Sequence, residues 1–468
     1  MKVVILGAGT VGVQIARQLI SEKKEVILIE KNADLSQQLA NDLDCLVIND
    51  EGRNPHLLKK AGVVDADFFI AVTGSDEVNL ITCSLVGSQY RKPVKIARVR
   101  NPYYVSFQDY EQLTFWGVDH IINPETEAAK TILRAIAHGA IGEVVALGND
   151  NLRLQPIRVG PDSPFQNKSL AQIRQHFQRP FLIPVVLRDE QVIVPSGKTV
   201  IEEEDSVYLL GEAANVEAIM AALGKTRQEF RKIAVLGGGR IGSYISAQLS
   251  SRGPNSRGVF ANLYRLFSHS QRSITVFEQS IDKCKQLSES LPDIRVNHID
   301  ITEEGALEDA QLGAFDLAIS VTGNSELNLI TAVQAKLLGV AKTIALVIKN
   351  DYLDVAAHLP IDVTISLKEN VARTILAIIR RGVIRLLHSI SDSELEILEI
   401  TIDKNTGLAG KKVREAGLPR DTLILFLIRD GQTLLPDGDT ILKSKDQIGI
   451  ITRKSSIKKL EDRFLNNA

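Results

Sequence analysis

The sequence predicts an α/β protein in which two doubly wound parallel sheets stand in tandem, each followed by a small α+β domain. Two internal repeats predict this plan. KVVILGAGTVGVQIARQL at residues 2–19 returns as KIAVLGGGRIGSYISAQL at 232–249, and VPSGKTVIEEEDSVYLLG at 194–211 is matched by LPDGDTILKSKDQIGIIT at 435–452. A chain of 468 residues also exceeds what one hydrophobic core usually serves. We therefore expect four domains, at residues 1–138, 139–225, 230–382 and 383–468.

The elements of the first half alternate between strands and segments of helical length, as in a parallel sheet with helices on both faces. Ligands of such sheets bind outside the carboxyl ends of the strands. The predicted strands lie near residues 2–6, 26–30, 45–48, 67–72, 94–99 and 119–122.

The first strand of each half ends in Gly-x-Gly-x-x-Gly before an amphipathic helix, the context in which this motif predicts a dinucleotide site in a Rossmann-like fold. The first glycine permits the tight turn, the second lets a pyrophosphate approach the backbone, and the third allows close packing of helix on strand. The unpaired N–H groups of the helix N-terminus then favour an anion. The predicted loop residues are Gly7, Ala8, Gly9, Thr10, Val11 and Gly12, and their counterparts Gly237, Gly238, Gly239, Arg240, Ile241 and Gly242.

An acidic residue ends the second strand of each sheet, in EVILIE and SITVFE. Glu30 follows the glycines at close to the usual spacing of about 20 residues, where a carboxylate accepts hydrogen bonds from a ribose diol. An acid here favours a free 2′-hydroxyl over a 2′-phosphate. Glu278 is the second candidate, at a longer spacing because an insertion intervenes.

Polar residues follow the third and fourth strands, where a ligand is expected. Asp50 and Glu51 come after the third strand, and Thr73 and Gly74 after the fourth. The alternative is that Asp50 caps a helix and that Val72-Thr73-Gly74 is an ordinary turn. Recurrence favours binding, since the matching places of the second half hold the residues Asp300, Thr322 and Gly323.

The sequence Asn123-Pro124-Glu125 opens a strong helix, with Asn123 as N-cap and Pro124 at the first helical position. Its apolar face is predicted to be a subunit interface or, equally, to pack onto its own sheet. This face consists of Ala128, Ile132, Ala135 and Ile136.

Composition excludes several function classes. With 55 basic and 57 acidic side chains the net charge is −2, which gives no electrostatic reason to expect nucleic acid. No apolar stretch approaches the roughly 20 residues of a membrane span, and Met1 leads directly into a core strand, so we expect a cytoplasmic protein. Cys45, Cys83 and Cys284 are isolated, which favours core residues in a reducing compartment over disulfides or a metal site.

Two more repeated segments complete the pattern: AVTGSDEVNL at 71–80 matches SVTGNSELNL at 320–329, and PETEAAKTILRAI at 124–136 matches LKENVARTILAII at 367–379. With both glycine motifs and both terminal domains, the chain resembles the TrkA family over essentially its whole length. This family comprises the cytoplasmic regulatory subunits, with tandem RCK domains, of bacterial and archaeal Trk potassium-uptake systems.

The resemblance implies a non-enzymatic sensor that binds NAD(H), ATP and ADP and regulates a membrane-embedded potassium-translocating subunit. It also implies a ring of four chains at the inner face of the membrane, held there by that partner. Carried onto this sequence, the family's binding residues are Gly7 to Val11, Glu30, Asp50 or Glu51, Thr73, Gly74 and Arg98. Arg98 would pair with phosphate, a role that suits the fixed fork of a guanidinium.

The second half departs from this pattern at two places. Leu346 stands where Arg98 would be, and Arg240 in the glycine loop is a candidate replacement cation. An insertion at about residues 251–272, rich in arginine and with apolar residues at helical spacing, is interpreted as an arm that contacts the membrane subunit or anionic lipid, or as an excursion packed on its own domain.

Two other function classes stay open. An NAD-dependent oxidoreductase would share the glycine motif, but the eight histidines are scattered and no catalytic constellation is evident. A nucleotide sensor that regulates a partner unrelated to potassium would have the same fold and ligand, since neither specifies the partner.

Overall fold

Each half of the chain begins with a parallel six-stranded sheet. The computed structural model describes residues 1–105, 117–137, 145–148, 151–189, 191–224, 230–250, 272–379, 384–390, 395–402, 407–419, 421–457 and 459–460. The predicted arm at about 251–272 lies, apart from Arg272, outside the described residues.

The first sheet has the strand order β3-β2-β1-β4-β5-β6, that of a doubly wound nucleotide-binding fold, and confirms the predicted fold class. Its strands are β1 (Lys2–Leu6), β2 (Glu25–Glu30), β3 (Leu46–Asn49), β4 (Phe68–Ala71), β5 (Val94–Arg98) and β6 (His120–Ile122). Its helices are α1 (Thr10–Ser21), α2 (Ala33–Asp42), α3 (Pro55–Lys60), α4 (Asp76–Gln89), α5 (Pro102–Val105) and α6 (Pro124–Ala137).

A small antiparallel sheet of order β10-β9-β11-β8-β7 follows, with two helices. Its elements are β7 (Val145–Leu147), β8 (Leu152–Arg158), α7 (Leu170–Phe177), β9 (Leu182–Arg188), β10 (Gln191–Ile193), β11 (Ser206–Glu212) and α8 (Ala213–Ala222).

The second parallel sheet repeats the first, in the order β14-β13-β12-β15-β16-β17. Its strands are β12 (Lys232–Leu236), β13 (Ser273–Glu278), β14 (Arg295–His298), β15 (Leu317–Ser320), β16 (Lys342–Val347) and β17 (Val363–Ser366). Its helices are α9 (Arg240–Leu249), α10 (Ile281–Ser290), α11 (Ala306–Asp309), α12 (Ser325–Leu337), α13 (Leu353–Ala356) and α14 (Leu367–Ile379).

The last sheet, of order β18-β19-β22-β20-β21, repeats the topology of the first small sheet. Its strands are β18 (Ile384–Ile390), β19 (Leu395–Thr401), β20 (Thr422–Arg429), β21 (Gln432–Leu434) and β22 (Gln447–Arg453). In the described part of the chain, no helix combines the length and apolar character that crossing a bilayer requires.

The chain divides into two compact units. One contains residues 1–140 and 230–379, with both parallel sheets, and the other contains residues 141–229 and 380–468. In this second unit the two small sheets share one core, to which Leu154 and Leu210 contribute from one sheet and Ile397 and Phe426 from the other.

The first parallel sheet is buried on both faces, which is why its strands are continuous apolar runs. Val3 and Ile5 of β1 belong to one core and Val4 and Leu6 to the other, because successive side chains of a strand alternate between faces. All four are at most 2% exposed.

The two parallel-sheet domains exchange their last helices. The apolar face of α6, with Ala128 and Ile132, joins the core of the second sheet beside Ile233 and Val235 of β12. Neither predicted location for this face, its own sheet or a subunit interface, is therefore correct. Helical periodicity shows that a face is apolar, but it does not identify the surface that covers it.

The reciprocal half of the exchange is made by α14, whose Val371 and Ile375 join the core of the first sheet beside Val3 and Ile5. Polar contacts join the crossing helices at two equivalent places. Thr374 Oγ1 donates to Glu127 Oε2 at 3.3 Å, and Thr131 Oγ1 donates to Asn370 Oδ1, also at 3.3 Å. The first unit is thus a pseudo-dimer formed within one chain.

Candidate functional site

A crevice of about 700 Å³ opens at the carboxyl ends of the first parallel sheet. It lies where β1 meets β4, the switch point in strand order at which such sheets bind ligands. The predicted residues that line it are Gly7, Gly9, Thr10, Val11, Glu30, Asp50, Glu51, Thr73, Gly74 and Arg98.

The glycine loop has the backbone geometry that its motif predicts. Gly7 has φ of +99°, and a Cβ there would come within 3.0 Å of the Thr73 backbone, so only glycine fits. A Cβ at Gly12 would overlap the Gly7 carbonyl oxygen, so Gly12 packs inside the turn and does not line the crevice. Nothing lies within 4 Å of a Cβ built on Gly9, which leaves that backbone open to a ligand.

Helix α1 begins without a side-chain cap at Gly9. The neighbouring helices α2, α4 and α6 are capped by Asn32, Ser75 and Asn123, whose side-chain oxygens accept from backbone N–H groups. The first N–H groups of α1 therefore point into the crevice without a side-chain partner, and an anion would satisfy them.

Glu30 is held rigidly at the end of β2. Its Oε2 accepts from Ala8 N at 2.8 Å and its Oε1 from Asn32 N at 2.9 Å. Ala8 is 2% exposed and acts through this hydrogen bond, behind the crevice wall. The fixed carboxylate keeps lone pairs for a ligand's hydroxyl groups.

Asp50 does not cap a helix, since α3 begins after Asn54 and takes its cap from that residue. Asp50 Oδ1 instead accepts from Gly52 N at 2.8 Å and closes a turn on the crevice wall. Glu51 is exposed and pairs with Arg53.

The Thr73 turn depends on Asn79, which is not among the residues predicted from the sequence. Asn79 is fully buried, and its Oδ1 accepts from Thr73 N at 2.9 Å and from Thr73 Oγ1 at 2.7 Å. Its Nδ2 donates to the Arg98 carbonyl oxygen at 2.8 Å, so one amide joins the ends of β4 and β5. The signal was present, since asparagine recurs six residues after the threonine, as Asn328.

Arg98 carries the strongest electrostatic feature of the crevice. Its Nη2 donates to the Thr73 carbonyl oxygen at 2.6 Å, while its buried Nε has no hydrogen-bond partner among the described residues. Burial, and next the charge of Arg100, lowers the pKa of Arg98 to about 10. A desolvated cation of this kind favours an anionic ligand.

The matching edge of the second parallel sheet, called the second crevice below, has the same backbone geometry as the first crevice and different charged residues. Gly237 has φ of +112°, Gly242 packs against it, and Gly239 opens α9 without a side-chain cap. The Thr322 turn is again held by the buried residue Asn328, which donates to the Leu346 carbonyl oxygen at 2.9 Å. This contact places Leu346, 1% exposed, at the position of Arg98.

Arg240 is paired with the first half of the chain. Its Nη2 lies 3.0 Å from Glu125 Oε1, and its Nη1 donates to the Arg100 carbonyl oxygen at 3.1 Å. Its charge is therefore already compensated. Ile241, the next residue of the loop, is buried.

The acidic residues of the second crevice accept hydrogen bonds from nearby residues, and Glu278 is held by the same kind of backbone contacts as Glu30. Glu278, 6% exposed, accepts from Gly238 N at 2.8 Å and from Ser280 N at 2.9 Å. Asp300 Oδ1 accepts from the hydroxyl and the N–H of Thr302, which hold the pKa of Asp300 below its usual value.

Cys45 and Cys83 do not line the first crevice, and Cys284 Sγ donates to the Glu278 carbonyl oxygen at 3.4 Å. Cys83 and Cys284 are buried and Cys45 is half-buried, and burial raises the pKa of all three thiols. Among the described residues no cluster of three His, Cys, Asp or Glu side chains has the arrangement of a metal site.

Comparison with known proteins matches these features to one family. The TrkA-N domain model matches residues 3–124 and 257–367, and the TrkA-C domain model matches residues 154–224 and 397–465. The chain is 28% identical over 452 residues to the Trk system potassium uptake protein TrkA of Halomonas elongata, covering 96% of this chain and 95% of the relative. It is 28% identical over 464 residues to a TrkA homolog of Archaeoglobus fulgidus, covering 99% and 100%.

Solved structures agree on the fold. The crystal structure of the GsuK RCK domain superposes with a TM-score of 0.56 at 19% identity, covering 99% of this chain and 95% of that one. The GsuK channel bound to NAD gives a TM-score of 0.55 at 19% identity, covering 99% and 79%. With two copies of each domain in the order TrkA-N, TrkA-C, TrkA-N, TrkA-C, the chain belongs to the TrkA family.

Proposed function

We propose that this protein is a nucleotide-sensing regulatory subunit that gates a membrane potassium-uptake transporter or channel. The observation that carries the proposal is the first crevice, which is lined both by Arg98 and by the uncapped N-terminus of α1. The buried Nε of Arg98 has no hydrogen-bond partner among the described residues. The names of full-length relatives, which belong to potassium-uptake systems, support the choice of process.

The proposed ligands are NAD(H), ATP and ADP. The crevice suits them because its acidic and basic side chains lie at different strands. Glu30 ends β2 and Asp50 follows β3, whereas Arg98 ends β5 and Arg100 follows it. The glycine loop and Arg98 would hold phosphates, and Glu30 would accept from a ribose diol. NAD is bound by the GsuK channel, which shares this fold.

The proposed mechanism is a shift in population between conformations. A nucleotide that touches both the β1–α1 loop and the end of β5 stabilises one arrangement of these elements over another. Nucleotides with different affinities for the two arrangements would then switch the membrane partner, whereas a nucleotide with equal affinity for both would regulate nothing. No chemical step is required, so the protein acts as a sensor and not as an oxidoreductase.

The proposed assembly is a homo-oligomer of four chains on the cytoplasmic side of the membrane, attached through a Trk-type potassium-translocating subunit. Equivalent exposed apolar side chains in both halves support self-association. Ile81 on α4 is 55% exposed, and Ile330 at the matching position of α12 is 57% exposed. Nucleic acid is not an expected partner at a net charge of −2.

Calorimetric titration of the full chain with NADH, NAD, ATP and ADP tests the proposal, with NADH absorbance followed in the presence and absence of candidate substrates. We expect binding without consumption of NADH. Turnover of NADH would establish an oxidoreductase instead, and a lack of binding by all four nucleotides would refute the sensor. Co-purification with a potassium-translocating subunit tests the partner, because a sensor for another process would not retain it.

A further inference from the structure

The first crevice is lined by one side chain from the second half of the chain. Lys368 lies in the first turn of α14 and reaches the first glycine loop, where its Nζ donates to Thr10 Oγ1 at 3.1 Å. Its ammonium therefore lies beside the N-terminus of α1, where phosphate is expected. Within the described residues no carboxylate lies within 4 Å of this ammonium. Lys368 differs in this respect from Arg53, another cation of the crevice, which forms an ion pair with Glu51.

Helix stability does not account for this lysine. A positive charge in the first turn of a helix opposes the helix dipole and is therefore unfavourable for the helix. The helix itself is fixed, because Val371 and Ile375 are buried in the core of the first sheet. Lys368 is thus delivered to the first crevice by the helix exchange.

In the second crevice the equivalent pair of residues carries different charges: the cation is on the glycine loop, and an acidic residue takes the place of the lysine. The repeat aligns Thr10 with Arg240 and Lys368 with Glu125. In the second crevice Glu125 lies 3.0 Å from Arg240, so the glycine-loop cation is neutralised. In the first crevice the matching contact joins a lysine to a neutral hydroxyl, which leaves the positive charge available.

From this asymmetry we infer that Lys368 is a specificity-determining residue of the first site and binds the free terminal phosphate of a nucleoside di- or triphosphate. The inference rests on the nucleotide-binding function proposed above. Because Lys368 belongs to the second half, a ligand that engages it also bridges α1 and α14. NAD(H), whose pyrophosphate is internal, has no free terminal phosphate and would depend on Lys368 much less.

The test compares affinities of the full chain for ATP, ADP, AMP and NADH, by calorimetry, in wild type and in Lys368→Met. We expect Lys368→Met to weaken ATP and ADP at least about tenfold, the size of a lost charge-assisted hydrogen bond. AMP and NADH should change by less than about threefold. Arg373→Met is the matched control, since it removes a cation from an exposed position of the same helix.

Two further variants guard against misfolding. Lys368→Arg should retain most of the ATP affinity. The double variant Thr10→Arg with Lys368→Glu places the Arg240–Glu125 pair in the first crevice, and it should keep the wild-type melting temperature while losing ATP binding.

The inference is overturned if Lys368→Met binds ATP as wild type does, or if Arg373→Met weakens ATP equally. Retained NADH binding in Lys368→Met shows that the crevice itself is intact, which separates failure of this inference from failure of the proposed function. A wild-type protein that binds none of these nucleotides would refute both.

Discussion

Arg98 is a positively charged side chain that the fold holds in a largely desolvated position. Its guanidinium donates to the Thr73 carbonyl oxygen, and burial disfavours its charged form. Residues of this kind cluster at functional sites, because a ligand of opposite charge supplies the missing interaction. We therefore expect Arg98 to destabilise the ligand-free protein, because its charge is desolvated, and to stabilise the complex with an anionic ligand.

Arg98→Met should weaken nucleotide binding about 10–100-fold, because hydrogen bonds to charged groups contribute about 1.5–3 kcal/mol. Its melting temperature should equal or exceed that of wild type, since a desolvated cation is removed. Calorimetry and thermal unfolding measure the two effects. Arg91→Met, at an exposed arginine outside the crevice lining, is the control and should change neither.

Asn79 is the residue through which the crevice is joined to the sheet. Asn79→Ala would remove the hydrogen-bond partner of the half-buried Thr73 N–H and hydroxyl and of the Arg98 carbonyl oxygen. We expect a loss of about 1–3 kcal/mol in the free energy of unfolding. Urea unfolding checks this value. Asn328→Ala should destabilise the protein similarly, because Asn328 makes the same contacts in the second half. A neutral result for both would show that ordered water replaces the amide.

At the scale of elements, the exchanged helices α6 and α14 determine how the two parallel-sheet domains depend on each other. Each helix covers the sheet of the other half, so each domain lacks part of its core without its partner. The two domains are therefore expected to unfold together.

Truncating a helix in one half should consequently loosen the sheet of the other half. Ile132→Ala and Ile375→Ala each remove a fully buried side chain and should cost about 2–5 kcal/mol. Hydrogen exchange should rise in β12 for Ile132→Ala and in β1 for Ile375→Ala. Val86→Ala, in a helix that packs on its own sheet, is the control and should affect β4 and β5. Increased exchange confined to the mutated half would contradict the exchange of helices.

Each of the two small sheets contains an Arg–Asp ion pair at the same position of the repeat. Arg188 makes two hydrogen bonds to Asp205, and Arg429 makes two to Asp446 in the matching place, at 2.7–2.9 Å. Burial raises the pKa of Asp446, but the hydrogen bonds from Arg429 and from Lys443 N outweigh it and hold the pKa below its usual value.

The direction of this shift predicts a pH dependence. Since the folded pKa of Asp446 is depressed, its stabilising contribution is present above the unfolded value of about 3.9 and is lost as pH falls through the folded value. Asp446→Asn should lower stability at pH 7 by about 1.5–3 kcal/mol, the size of hydrogen bonds to a charged group, and should flatten the loss in acid. Thermal unfolding between pH 2 and 7 measures this. Asp439→Asn, at an exposed pair, is the control, and an acid loss as steep in Asp446→Asn as in wild type would contradict the assignment.

Because the charged residues of the two crevices differ, we predict that each chain binds one nucleotide, in the first crevice. The backbone of the second crevice is retained, but Leu346 replaces the arginine and Glu125 neutralises Arg240. Glu30→Gln should weaken nucleotide binding, and Glu278→Gln should leave its affinity unchanged. Calorimetric stoichiometry checks both. A second equivalent of nucleotide that is lost in Glu278→Gln would show that the second crevice also binds.

The fold class, the repeated plan and most of the lining of the first crevice could be predicted from the order of the amino acids alone. These features follow from local rules: β1 needs apolar residues on both faces, Gly7 must adopt a positive φ, and carboxyl ends of parallel strands meet at one edge. Three features became evident only in the folded chain: the surface that covers α6, the entry of Lys368 into the first crevice and the neutralisation of Arg240 by Glu125. These contacts join residues more than 100 positions apart, and the periodicity of an apolar face or the sign of a charge does not specify its distant partner.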